Sequence, residues 1–192
     1  MHPVEALLVP VGWLLRNRRP DEAASIANAP ELATGNGITL TSPAFRDGQV
    51  VPAKHCGQFI GDDISPALTW SALPTGTKGL VFVLEDLDNP GAVPGIHTIA
   101  AFAPTEGGFP EGGLPEGALT PDDPRFQFLP NRRRQAKYSG PRPLPGHGTH
   151  RYHLYALDTD IDLTKVAGMQ AVPSTLAGHV LAAGTLTGTR TT

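Results

Sequence analysis

Backbone punctuation is the feature that most limits this chain: 22 glycines and 20 prolines are spread over 192 residues, nearly twice their usual combined share of about 12%. Proline inside a helix removes a hydrogen bond, and glycine weakens a helix interior by about 1 kcal/mol. Long helices are therefore excluded as the dominant element. The two residue types follow no three-residue period, which excludes a collagen-like rod. Charged residues make up 17% and hydrophobic ones 40%, enough apolar surface for a core and too little charge for a solvated disordered polymer. One loop-rich globular domain over residues 1–192 is expected, burying roughly 70% of its extended surface.

Charge narrows the partners. Fifteen Lys and Arg against 18 Asp and Glu give a net charge of −3, so no global field draws the protein to nucleic acid or anionic lipid. Any anion has to be bound locally. The single cysteine, Cys56, excludes an internal disulfide framework and a cysteine-rich zinc site, and a cytoplasmic location is expected.

The segment Val4 to Leu15 is apolar, but it contains Glu5, Pro10 and Gly12 and runs into Arg16, Arg18 and Arg19. It is too short to span a bilayer and lacks the charge order of a signal peptide. The reading is a short amphipathic helix docked on the core, with an interfacial membrane helix as the alternative. Residues 1–25 are taken as helix and connector, and 38–188 as the core. No transmembrane segment is expected.

Strand-like patterns follow at Ile38 to Thr41, at Val50 and Val51 after the turn pair Asp47-Gly48, at Leu80 to Leu84, Ile96 to Phe102, Tyr152 to Leu157 and Thr185 to Thr189. The Pro- and Gly-dense stretches between them suit turns in a mainly antiparallel sheet. Pro104 to Pro130 reads as a long surface excursion. Helices are predicted at Leu163 to Gly168 and, between Pro173 and Gly184, at Ser174 to Ala183.

Polar residues that could carry chemistry concentrate where strands end. Asp86 and Asp88 follow the apolar run Leu80 to Leu84, His97 opens the next strand, and Tyr138-Ser139-Gly140-Pro141 leads on to His150-Arg151-Tyr152. Strand alternation puts His150 and Tyr152 on one face and His153 on the other. Exposed N–H groups at Gly140, before Pro141, could form an anion-receiving nest. A carboxylate at Asp86 beside an imidazole would favour its cationic form, which grips an anion.

At these residues the sequence resembles the phosphatidylethanolamine-binding protein family, also called the Raf kinase inhibitor-like family, in its microbial branch. The likeness rests on Leu40-Thr41-Ser42-Pro43-Ala44-Phe45, Ser65-Pro66-Ala67-Leu68-Thr69-Trp70, Asp86-Leu87-Asp88-Asn89-Pro90 at the place of the family's Asp-Pro-Asp-Ala-Pro, His97, Tyr138-Ser139-Gly140-Pro141 and His150-Arg151-Tyr152. It runs from about Ile38 to Gly188. The resemblance implies a mainly β fold, a large antiparallel sheet packed on a smaller one with peripheral helices. It also implies a pocket for phosphate, a phosphoryl head group or a carboxylate, lined by Asp86, His97, Gly140, Pro141, His150 and Tyr152 with Pro90 shaping the rim. Leu87, Asn89 and Thr98 depart from the family pattern, and no lid helix is expected after Gly188.

Competing readings attach to the same residues. Asp88 could hydrogen-bond backbone in its turn, and Asp86, Asp88, His97 and His150 could hold a divalent metal. The leading expectation has no metal, cofactor or catalytic residue. Arg132, Arg133 and Arg134 form a run that reads as solvated surface rather than a nucleic-acid site. Cys56, Trp70 and Phe82 read as core. The motifs of serine hydrolases, phosphate-binding loops and zinc proteases are absent. A small-anion binding protein is the expected function. An interaction protein inhibiting a kinase or protease, through the 104–130 excursion, is the alternative, and a hydrolase using a His and Asp pair the weaker one.

Overall fold

The computed structural model describes residues 10–15, 17–58, 60–104, 112–142, 144 and 148–190. Among the described residues nine strands form two sheets. The strands are β1 (Leu40–Thr41), β2 (Gln49–Val50), β3 (Leu68–Trp70), β4 (Gly79–Asp86), β5 (Gly95–Phe102), β6 (Gly113–Leu114), β7 (Gln127–Leu129), β8 (Thr149–Leu157) and β9 (Val180–Thr189). The large sheet has the order β2-β9-β8-β4-β5-β7 and the small one β1-β3-β6. Every pair is antiparallel except β2 with β9.

The unbroken run Leu80 to Leu84 is explained by its position at the centre of the large sheet, where both faces are covered and all five side chains have no exposure. Toward the small sheet, Leu80, Phe82, Leu84, Tyr152 and Leu154 pack with Leu40, Trp70 and Leu114. Toward the other side, Val81, Val83, Tyr155 and Leu157 pack with Ile26, Leu32, Val172 and Leu176. Each such side chain contributes about 1.5–3 kcal/mol by leaving water.

That second face is covered by the connector together with Leu163, Val172 and Leu176. Residues 22–32 form three short 3₁₀ turns, two of them capped by Asp21 and Ser25. Ser25 Oγ (2.7 Å) and the Ile26 N–H (2.9 Å) donate to the carboxylate of Glu85, and His153 Nε2 lies 3.0 Å from it. The connector is therefore fastened to β4 and β8 by a buried carboxylate.

Residues 10–15 are helical, with Val11, Trp13 and Leu14 44%, 66% and 76% exposed, and three expectations elsewhere are corrected. Val4 to Val9 lie outside the described residues. The helix expected over Ser174 to Ala183 is a five-residue helix, Val172–Leu176, and the chain is already strand from Val180. There Ala182 and Ala183 pair with Ala156 and Tyr155 of β8, and the ladder outweighs alanine's helical preference. Leu163 to Gly168 shrinks to one 3₁₀ turn, Leu163–Lys165, capped by Asp162. The stretch Pro104 to Pro130 is not a free excursion: it carries β6 and β7 and buries Leu114, Leu119, Phe126 and Leu129, while residues 105–111 lie outside the described ones. Among the described residues no helix is long and apolar enough to cross a membrane.

Candidate functional site

The end of β4 delivers consecutive carboxylates to opposite faces: Glu85 to the connector and Asp86 to a cavity. Asp86 stands directly across from His150 on β8, so their side chains share a face. On the other side the register slips, with Leu84 opposite Thr98 but Glu85 opposite Ile96. His97 is the extra residue of this bulge, and the bulge aims its ring at Asp86. His97 Nε2 lies 3.8 Å and His150 Nε2 3.9 Å from Asp86 Oδ2, and the two rings meet edge to face at 5.2 Å.

Backbone carbonyls fix the orientation of both imidazoles. Nδ1 of His97 is 2.9 Å from Gly140 O, and Nδ1 of His150 is 3.3 Å from Gly148 O. A carbonyl only accepts, so each Nδ1 carries the proton and each Nε2 turns toward Asp86. His150 is wholly buried and its Nε2 has no hydrogen-bond partner. Burial pushes its pKa down to about 4, more than the nearby Asp86 carboxylate raises it. This corrects the expectation that the carboxylate would make that imidazole cationic. Burial pushes Asp86 up, but His97, His150 and the Asp88 N–H together outweigh it and hold the carboxyl below its usual range. Asp86, His97 and His150 also bring one oxygen and two nitrogen ligand atoms within 4.8 Å of one another, a donor set that suits divalent transition metals.

The cavity in front of Asp86 and His97 has a volume of about 230 Å³ and is walled by Asn89, Asn131, Arg132, Arg133, Ser139 and Arg142. Asn131 builds the basic side. Its Oδ1 accepts the N–H groups of Arg133 (2.9 Å) and Gln135 (3.1 Å), and its Nδ2 donates to His97 O (3.3 Å). Asn131 thereby fixes the backbone of the arginine run beside β5, while Arg132, Arg133 and Arg134 stay exposed as expected of a solvated run. Arg142 lies across Gly57, where a Cβ would come 2.2 Å from its Nε.

The predicted site residues divide. Asp86 and His97 line the cavity, with His150 directly behind Asp86. Gly140 is not the expected anion nest: its N–H donates to Asp63 Oδ1 (2.8 Å) and its carbonyl holds His97. Pro141 gives its carbonyl to the Gly57 N–H (2.9 Å), so both residues position the site from behind. Tyr152 is buried in the core, its ring 5.4 Å from that of Phe45 and 6.2 Å from that of Phe82, and it does not wall the cavity. Pro90 is half-buried in the turn that Asn89 closes by accepting the Gly91 N–H (2.7 Å). Asp88 pairs with Arg19 and accepts from the Gly148 N–H (2.8 Å), which turns it away from a metal role. His147 lies outside the described residues. Sequence reasoning missed Gly57, Asp63, Asn131 and Arg142; only Arg142, inside the Gly-Pro motif segment, carried a local signal.

A small sheet on a large one, with an Asp and two His gathered at the strand ends beside a basic wall, defines a β protein built to present a compact polar cavity. The profile of the phosphatidylethanolamine-binding protein family matches residues 41–191. The chain belongs to that family. A UPF0098 protein of Mycobacterium tuberculosis is 38% identical over 155 residues, covering 79% of this chain and 70% of that protein. One of Methanothermobacter thermautotrophicus is 33% identical over 153 residues, covering 79% and 97%. A phosphatidylethanolamine-binding protein homologue from Chlamydia trachomatis superposes with a TM-score of 0.66 at 29% identity, over 82% of this chain and 99% of that one. Escherichia coli YbcL, at 24% identity and a TM-score of 0.70, shares the fold over 81% and 98%.

Proposed function

We propose that this protein binds a small anion, a phosphate, phosphoryl head group or carboxylate, in the cavity between His97 and the arginine wall. The observation that supports this is charge placement: the chain as a whole is acidic at −3, yet among the described residues three arginines and one carboxylate line this cavity. The Nδ1–H of His97 is spent on Gly140 O and its Nε2 faces Asp86, so the arginine wall supplies the charged donors to the anion. An NMR titration of the full chain with phosphate, acetate and O-phosphorylethanolamine tests the reading. The His97 imidazole resonances are expected to move saturably, and a lack of response through the millimolar range overturns it.

A further inference from the structure

Three acceptor atoms are turned toward one point between β4, β5 and β8. The Nδ1–H groups of His97 and His150 are held by Gly140 O and Gly148 O, so both Nε2 atoms present lone pairs. They face Asp86 Oδ2 at 3.8 and 3.9 Å, beyond hydrogen-bond reach. The other carboxylate oxygen, Oδ1, already accepts the Asp88 N–H (2.9 Å). His150 Nε2 is buried and has no hydrogen-bond partner among the described residues. Converging acceptors repel one another unless a cation stands between them, and burial makes that repulsion stronger. One added proton serves a single ring, whereas a metal ion serves all three atoms.

We propose that Asp86, His97 and His150 form a binding site for a divalent transition ion of the Zn²⁺ or Co²⁺ type, held by two imidazole nitrogens and one carboxylate oxygen. Among the described residues these are the only three His, Cys, Asp or Glu side chains whose ligand atoms all lie within 4.8 Å of one another. A point equidistant from atoms so spaced is at most about 2.5 Å from each, against about 2.0–2.2 Å for Zn²⁺ bonded to imidazole nitrogen or carboxylate oxygen. Small side-chain shifts close that difference. The supports that such ligands need are in place: each imidazole gives its other N–H to a backbone carbonyl, and the carboxylate accepts a backbone N–H. The strands set the spacing, since His150 is the register partner of Asp86 and His97 is the bulge residue beside it. Two nitrogen ligands favour Zn²⁺ or Co²⁺ over Mg²⁺ and Ca²⁺, which take oxygen. The side chains are 1% exposed at His150, 11% at Asp86 and 17% at His97, so the ion is closed off behind and keeps an open position toward the cavity, as in a catalytic rather than a structural zinc site. Metal binding here needs only these three ligands and is independent of the anion reading.

Calorimetric titration of the full chain with ZnCl₂ tests this, after chelator treatment and in buffer free of phosphate and carboxylate at pH 7.5. One ion per chain is expected to bind with a Kd of about 10 μM or tighter, and millimolar Mg²⁺ or Ca²⁺ should not compete. Co²⁺ in its place should shift the imidazole resonances of both His97 and His150 paramagnetically. His97→Gln and Asp86→Asn should each weaken Zn²⁺ binding by at least about tenfold. His179→Gln, at an exposed pair with Asp158, should change it by less than about twofold. Melting of the metal-free variants checks that each is folded. No saturable binding by the native chain up to about 100 μM Zn²⁺, Co²⁺ shifts centred on His179 instead, or an affinity that survives both ligand substitutions overturns the assignment. The phosphate titration repeated on the chelator-treated chain reads the anion cavity separately, so either reading can fail without the other.

Discussion

Replacing Glu85 by Ala removes the carboxylate that fastens the connector to the sheet. The residue is 1% exposed, and its carboxylate meets Ser25 Oγ at 2.7 Å, the Ile26 N–H at 2.9 Å and His153 Nε2 at 3.0 Å. A buried donor stripped of its acceptor costs about 1–3 kcal/mol, and breaking a buried charged cluster by removing one partner costs about 3–5 kcal/mol. A loss of about 3–5 kcal/mol is expected, a large part of the 5–15 kcal/mol typical of a domain. Urea unfolding of native protein and variant measures it, with hydrogen exchange showing lost protection at 22–32. The pH dependence has a definite sign. Burial pushes the Glu85 carboxyl up, but His153, Ser25 and the Ile26 N–H outweigh it and hold it low. The contribution is therefore complete above the unfolded value of about 4.3 and is lost as the pH falls through the lowered native value. A difference below about 1 kcal/mol at neutral pH, or one that grows on acidification, would refute the reasoning.

Three further outcomes follow from buried groups. His150 takes up a proton only near pH 4 in the native protein, against about 6.5 when unfolded, so stability should fall by about 3 kcal/mol from pH 6.5 down to 4 and then level off; His150→Gln should flatten that slope in pH-dependent denaturant melts. Cys56 is fully buried and its thiol is pushed up to about 11 by burial, so a thiol reagent should label it only on the timescale of unfolding. Tyr152→Phe should leave phosphate affinity within about twofold, because the hydroxyl is buried in the core away from the cavity; a larger loss by calorimetry would return Tyr152 to the site.

How much was legible depended on whether the signal was local. Leu80 to Leu84 reads as a strand because both faces of β4 are buried, and the Asp86 and His97 segments stand out because they end or open strands. Val180 to Ala183 reads as helix because small residues after a Pro-led segment favour one, and only the partner β8 shows why they extend. The cavity wall is the least legible part. Gly57, Asp63 and Lys137 matter through their contacts with Gly140 and Arg142, across gaps in sequence that no spacing rule bridges. Arg132 and Arg133 read as solvated surface and are exposed, and only the fold, through the tie from Asn131 to His97 O, sets them at the rim of the cavity. Glu85 looks like part of an acidic turn, and its role appears only when the connector is laid on the sheet.

The most direct measurement is a crystal structure of the full chain grown with O-phosphorylethanolamine. The expectation is a phosphoryl group in the cavity between His97 and the wall of Arg132 and Arg133. A phosphoryl group seated elsewhere, or a cavity holding only water at saturating ligand, would contradict it.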